Sequence, residues 1–113
     1  MCTQSTLTTL LSEAGANLRN IFGEKLETLL LYGSYARGDY DSESDIDVFA
    51  LIDMDKEELS RYRKQVSTMA NDIDLKYDVL LSVKLQDKST FEKYQQVLPF
   101  YRNVVQEGVR VNV

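Results

Sequence analysis

Two aspartates two positions apart, Asp45 and Asp47, open an apolar segment near the middle of the chain. On a strand both side chains point to the same face, and the two residues lie roughly 6.5 Å apart along the backbone. Two carboxylates this close repel each other unless a positive charge lies between them, and hard oxygen ligands select Mg²⁺ or Mn²⁺. Asp78 would add a third carboxylate if its strand lies beside this one. Three acids without a neutralising Lys or His are suited to two metal ions.

A glycine–serine pair ends the preceding apolar segment, and ten residues separate Ser34 from Asp45. Gly33 lets the backbone approach a phosphate closely, and the residues after it can open a helical turn whose N–H groups point at an anion. Ser34 adds a hydroxyl donor, and Arg37 adds a positive charge just beyond the turn. A phosphate-binding turn beside a carboxylate metal site is what a nucleoside triphosphate with Mg²⁺ requires.

Two other interpretations of these acids compete with this metal site. Any single aspartate is compatible with an ordinary exposed surface residue, because Asp is rarely buried; the joint spacing is what favours chemistry. The alternating acids that begin at Asp39 resemble a calcium-binding loop. That loop requires Gly at its sixth position and Glu at its twelfth, whereas this chain has Ser44 and Ala50 there.

The hydrophobic pattern predicts the elements that position these residues. Spacings of three and four predict a helix over 5–22, and short apolar runs predict strands over 27–32, 45–52 and 75–83. A capping box at Asp55 and Glu58 predicts a helix that continues to about Asn71. Two helices, over 90–97 and 99–106, are expected to follow, with 109–111 as an extended tail. This order predicts an α/β (α+β) fold: one domain over residues 1–113, with a small mixed sheet and helices on one face.

Composition excludes several classes of protein. The 113 residues carry 13 Lys+Arg and 18 Asp+Glu, a net charge of -5 that disfavours direct nucleic-acid binding. His is absent, which excludes a His base and His-ligated metals, and the single cysteine, Cys2, excludes an internal disulfide. No apolar run is long enough to cross a bilayer, and the N-terminus lacks a signal-peptide pattern. We expect a soluble cytoplasmic protein without membrane contact.

Over residues 31–39 and 44–48 the chain resembles the minimal nucleotidyltransferases of the DNA-polymerase-beta-like superfamily. The family pattern is Gly-Ser, a ten-residue spacer, Asp-x-Asp, and a third acid on a later strand. We assign that third acid to Asp78, with Asp74 as the alternative. The resemblance implies a nucleotidyltransferase-like fold with two Mg²⁺ ions.

The resemblance also implies a role for each matching residue. Asp45, Asp47 and Asp78 would be the catalytic, metal-binding acids. The nucleotide's phosphates would be held at the Gly-Ser turn and by the arginine that follows it, that is by Gly33, Ser34 and Arg37.

Family members transfer a nucleoside monophosphate from a triphosphate, usually ATP, to a hydroxyl and release pyrophosphate. About thirty-five residues follow Asp78, too few for a second, acceptor-binding core, so we expect another protein to present the acceptor. This matches the antitoxins of type VII toxin–antitoxin pairs, which add AMP to a tyrosine of a HEPN toxin. The alternatives are an antitoxin that neutralises its toxin by binding alone, and a nucleotidyltransferase that modifies a small molecule such as an aminoglycoside.

Overall fold

The structure, a computed structural model, describes residues 3–112, so that Cys2 lies outside the described residues. These residues form helices and strands that alternate along the chain, with a short 3₁₀ turn at Gly23–Lys25. The helices are α1 (Gln4–Phe22), α2 (Ser34–Arg37), α3 (Lys56–Ser60), α4 (Arg63–Tyr77), α5 (Lys88–Tyr94) and α6 (Pro99–Glu107). The strands are β1 (Leu26–Tyr32), β2 (Ile46–Ile52), β3 (Leu81–Asp87) and β4 (Val109–Arg110). Within the described residues, no helix has the length and apolarity needed to span a membrane.

The four strands form one mixed sheet in the order β3-β2-β1-β4. β1 pairs antiparallel with both β2 and β4, while β2 pairs parallel with β3. The register places Asp47 opposite Tyr32 on one side and Ser82 on the other. The end of β1 and the starts of β2 and β3 therefore meet at one end of the sheet.

The main core lies between one face of the sheet and helices α1 and α4. Alternate residues of β2 point to this face and are fully buried, because side chains two apart on a strand share a face. The β2 residues of this core are Ile46, Val48, Ala50 and Ile52. The predicted fold class, a mixed sheet in a nucleotidyltransferase-like α+β fold, is confirmed.

The opposite face of the sheet is covered as well, by the last two helices. Phe49 packs there with Phe91 of α5 and with Tyr101 and Val104 of α6. The sequence predicted helices on one face only, an expectation that holds for α1 and α4 but not for α5 and α6. Phe49 is nearly as buried as the β2 residues that point to the first face, because α5 and α6 cover the second face.

Most predicted elements are observed with shifts of a few residues at their ends. The side chain of Thr3 caps α1, and Gly23, at a φ of 61°, ends it. The predicted N-cap at Asp55 is confirmed, since its carboxylate accepts a hydrogen bond from the Glu58 N–H at 2.8 Å. The helix that begins there is interrupted at 61–62, where the Tyr62 ring packs against Phe22, and resumes as α4.

The predicted third strand over 75–83 is wrong in its first half. The buried stripe of α4 continues to Ile73, and the helix runs on to Tyr77. Asp78 ends it in the left-handed conformation (φ 56°, ψ 54°), which Asp tolerates better than most residues. Asp74, the alternative third acid, lies inside α4 and accepts a hydrogen bond from the Leu81 N–H at 2.7 Å. Asp74 therefore holds the start of β3.

Candidate functional site

The Gly-Ser turn directly follows β1 and leads into a single helical turn. Gly33 has a φ of 75° and a ψ of -155°, a conformation that is essentially restricted to glycine. Its carbonyl oxygen accepts hydrogen bonds from the N–H groups of Ala36 and Arg37 at 3.1 and 3.0 Å. Gly38, also at positive φ, ends the turn. The chain therefore bends sharply at Gly33 and carries the Ser34 hydroxyl on the first residue of the turn.

The carboxylate of Asp47 lies against the α-carbon of Gly33. A Cβ added to Gly33 would be 2.6 Å from Asp47 Oδ2, far closer than a carbon and an oxygen normally approach. Glycine is therefore required here for its backbone conformation and for the space that Asp47 occupies. The two motifs predicted from sequence, Gly33-Ser34 and Asp45-x-Asp47, are in direct contact.

Asp45 and Asp47 are electrostatically coupled. Asp45 immediately precedes β2 and is exposed, while Asp47 is partly buried. Burial, followed by repulsion from Asp45, raises the pKa of Asp47 above its ordinary value of 3.8, and the positive charge of Arg37 partly opposes the rise. A carboxylate with a raised pKa beside a second carboxylate is stabilised by a bound cation. This donor set of hard, negatively charged oxygens fits Mg²⁺ or Mn²⁺.

Arg37 lies at the rim of the site and links two distant parts of the chain. Its guanidinium donates to Asp39 Oδ2 and to Glu107 Oε2, each at 3.2 Å. The hydrogen bond to Asp39, and then that to Glu107, raise the pKa of Arg37. The second contact connects the turn after β1 to the end of α6. Arg37 therefore stands beside the predicted phosphate turn, and acidic side chains hold it there.

Asp78 occupies a different position from the one that the sequence predicts. It lies three residues before β3 and lines a cavity with Asp74, Glu43 and Ser44. The β3 residue beside Asp47 is Ser82. Across residues 3–112, no three acidic or cysteine side chains are gathered into a metal-binding cluster. The contribution of Asp78 to a metal site stays a prediction, as do the roles of the other site residues.

Sequence reasoning missed the side of the site that α6 provides. Phe100 packs edge-on against Tyr32, with ring centroids 5.7 Å apart, and Tyr32 is the strand partner of Asp47. Burial, followed by the negative charge of Asp47, raises the pKa of Tyr32. The periodicity of α6 predicts a helix but does not say which residues it meets. The contact joins residues far apart in sequence, and no local pattern indicates it.

The comparisons with known proteins agree on the family. The sequence profile of the nucleotidyltransferase domain matches residues 16–111. A candidate protein adenylyltransferase of Methanocaldococcus jannaschii, MJ0141, is 40% identical over 81 residues, which cover 71% of this chain and 79% of that protein. A second candidate protein adenylyltransferase of that organism, MJ0604, is 33% identical over 91 residues, covering 80% of this chain and 83% of that protein.

Solved structures share the fold. A candidate nucleotidyltransferase from Sulfolobus solfataricus superposes with a TM-score of 0.61 at 23% identity, covering 91% of this chain and 77% of that one. A toxin–antitoxin structure determined with AMP-PNP superposes with a TM-score of 0.53 at 21% identity, covering 89% of this chain and 72% of that one. At these identities the likeness shows the shared architecture alone.

Proposed function

Because this chain belongs to the nucleotidyltransferase domain family and is a nucleotidyltransferase, we propose that it transfers AMP from ATP to a protein hydroxyl. The proposed acceptor is a tyrosine of a partner HEPN toxin, so that the protein acts as the antitoxin of a type VII pair. We propose that the reaction takes place in the cytoplasm, which supplies ATP and Mg²⁺ and in which a toxin from the same cell would be made.

The contact between Gly33 and Asp47 carries this proposal. It brings a turn suited to phosphate within van der Waals distance of a carboxylate suited to Mg²⁺. A triphosphate chelated to Mg²⁺ needs both chemistries side by side. Neither motif by itself would distinguish a nucleotide site from a surface loop.

The residues fit a divalent metal ion. Asp45 and Asp47 would hold it, because each supplies hard oxygens and their mutual repulsion is relieved by a cation. When bound, Mg²⁺ neutralises charge on the triphosphate and lowers the pKa of an acceptor hydroxyl. We propose Asp78 as the third acid; to act with the pair, the segment between α4 and β3 has to bring its carboxylate closer to β2.

The other residues orient the triphosphate. The backbone at Gly33 and the Ser34 hydroxyl would hold the phosphates that leave, and Arg37 would offset their charge. Arg37 is paired with Asp39 and Glu107 at 3.2 Å, and these exposed pairs are weak enough for a phosphate to replace one of them.

The reaction exchanges one phosphorus–oxygen bond for another. The tyrosine oxygen forms a bond to the α-phosphorus as the bond from that phosphorus to the bridging oxygen breaks. Pyrophosphate leaves with the bonding electrons, and the tyrosine proton passes to a carboxylate of the site or to water. No oxidant or reductant is needed.

The choice of a protein acceptor is supported by three observations. Both curated relatives are named as candidate protein adenylyltransferases, and one structure with the same fold is a toxin–antitoxin complex with AMP-PNP. The net charge of -5 would also suit docking to a positively charged surface of the partner.

The test is to incubate the protein with ATP, Mg²⁺ and its HEPN partner, and to measure the intact mass of the partner. We expect the partner to gain the mass of one or more AMP groups, and the double variant Asp45→Asn with Asp47→Asn to add none. Asp72→Asn, an exposed aspartate of α4, is the matched control and should modify the partner like the wild type.

Two outcomes would overturn the proposal in different ways. If the double variant still protects cells while the partner stays unmodified, the protein neutralises its toxin by binding alone. If pyrophosphate is released with an aminoglycoside in the absence of any partner protein, the acceptor is a small molecule.

A further inference from the structure

One face of α6 borders the candidate site. Phe100, Asn103 and Glu107 are spaced three and four residues apart, which places them on the same side of a helix. Together with Gly33 and Arg37 they line one cavity next to β1. We call these three residues of α6 the α6 wall. The cavity contains the glycine and the arginine of the proposed phosphate site and extends from them to the α6 wall.

The α6 wall is held firmly in place. Tyr101 and Val104 are buried against Phe49, and Val104 also lines the bottom of the same cavity. The Tyr101 hydroxyl donates to Gln86 Oε1 of β3 at 2.9 Å. The buried residues and this hydrogen bond anchor α6, and the exposed ion pair of Glu107 with Arg37 adds a weaker contact at its C-terminal end. Its exposed face is therefore a fixed surface beside the site.

The chemistry of the wall suits a nucleoside and does not suit phosphate. Phe100 remains 39% exposed although its ring packs against Tyr32. The Nζ of the exposed Lys84 lies 5.5 Å from the ring centroid, and a base that stacks on Phe100 would replace this ammonium. Asn103 is exposed and carries both a donor and an acceptor, which can read the edge of a base. Glu107 is negative and is paired with Arg37, so the α6 wall itself offers a phosphate no positive charge.

We propose that the α6 wall contacts the nucleoside half of the triphosphate substrate and sets nucleotide choice, with Asn103 reading the base and Phe100 stacking on it. This rests on the proposed function, because the phosphates must lie at Gly33 and Ser34 for the base to reach α6. The α6 wall then contributes to the binding of the nucleotide substrate, and its removal should change the preference of the enzyme among nucleotides.

The test compares two ligands that share a triphosphate and differ in the nucleoside. The affinities of the wild type and of Asn103→Ala are measured for AMP-PNP and for inorganic tripolyphosphate, each with Mg²⁺. We expect Asn103→Ala to weaken AMP-PNP binding by about three- to tenfold, the size of one lost hydrogen bond, and to leave tripolyphosphate binding unchanged. Gln106→Ala removes an exposed amide of the same helix that does not line the cavity, and should change neither affinity.

A second variant tests the aromatic contact. Phe100→Leu keeps an apolar side chain against Tyr32 and is expected to weaken AMP-PNP by about tenfold, because a base loses its stacking partner. Its affinity for tripolyphosphate serves as the check that the site remains folded and should stay at the wild-type value.

The possible failures are distinct. If the wild type binds neither ligand, the phosphate site is absent and the proposed function fails together with the wall. If the wild type binds both and Asn103→Ala changes neither affinity, or weakens both equally, only the role of the wall is overturned. An Asn103→Ala variant with normal AMP-PNP binding but a raised KM for the partner protein would assign the wall to the acceptor instead.

Discussion

Two aspartates of neighbouring strands, Asp47 near the start of β2 and Asp87 at the end of β3, lie at opposite ends of the same sheet. Burial and the repulsion of Asp45 raise the pKa of Asp47. Burial by itself also raises the pKa of Asp87, but hydrogen bonds with Thr90 and with backbone N–H groups, together with the positive charge of Lys56, outweigh it, so that the pKa lies below the ordinary 3.8. The two carboxylates therefore affect stability in opposite directions as the pH changes.

The hydrogen-bond partners explain the difference. Asp87 is almost fully buried and accepts hydrogen bonds from Gln86 Nε2 at 3.1 Å and from the Thr90 N–H at 2.9 Å. It caps α5, and Gln86 in turn accepts from Tyr101. Asp47 instead faces Asp45. One end of the sheet is organised for stability, whereas the other keeps a negative charge that a metal ion would stabilise.

The largest effect is expected at the point where the two motifs touch. Gly33→Ala would force a side chain to within 2.6 Å of Asp47 Oδ2, in a backbone conformation that costs about 1–3 kcal/mol for other residues. We expect transfer activity to be lost along with this stability, as measured by urea unfolding and by AMP incorporation.

Gly38→Ala is the matched control for that variant. Gly38 also has positive φ, at 88°, but a Cβ there meets nothing within 4 Å. The Gly38→Ala variant should lose stability and keep its transfer activity. Equal loss of activity in both variants would contradict the importance of the contact between Gly33 and Asp47.

A smaller effect, on stability alone, is expected at the other end. Asp87→Ala removes a helix cap and a buried hydrogen-bond acceptor, which should lower the free energy of unfolding by about 1–2 kcal/mol. The folded fraction should still transfer AMP. Asp55→Ala removes a comparable cap from α3, but at an exposed position, and should cost less by urea unfolding. A loss at Asp87 no larger than that at Asp55 would show that the buried network adds nothing.

The smallest expected effect is a gain in stability. Asp47→Asn removes the charge that Asp45 repels, so the variant should melt at a slightly higher temperature than the wild type at neutral pH. Because the pKa of Asp47 is raised, the stability present below the ordinary pKa of 3.8 is lost as the pH rises through the raised value. The melting temperatures should therefore converge in acid and separate towards neutral pH. A wild type that melts higher than the variant at neutral pH without Mg²⁺ would contradict this.

Local patterns predicted the part of the site that β1 and β2 provide. Two apolar runs end in these residues: Gly33 and Ser34 follow the first run, and Asp45 and Asp47 begin the second. The antiparallel pairing of β1 with β2 brings those ends together. The third strand was misplaced because Leu75 and Tyr77 suit a strand and a helix end equally well, and the buried stripe of α4 decides in favour of the helix. The contribution of α6 depends on contacts across the fold, such as Phe100 with Tyr32. Short sequence patterns do not predict a contact of this kind.

The most direct test of the account is to locate the metal ion. Crystals grown with Mn²⁺ and AMP-PNP allow the ion to be placed by its anomalous scattering. We predict Mn²⁺ in contact with carboxylate oxygens of Asp45 and Asp47, with the triphosphate against Gly33 and Ser34. Nucleotide bound elsewhere, or bound at this turn with no Mn²⁺ on either aspartate, would contradict it.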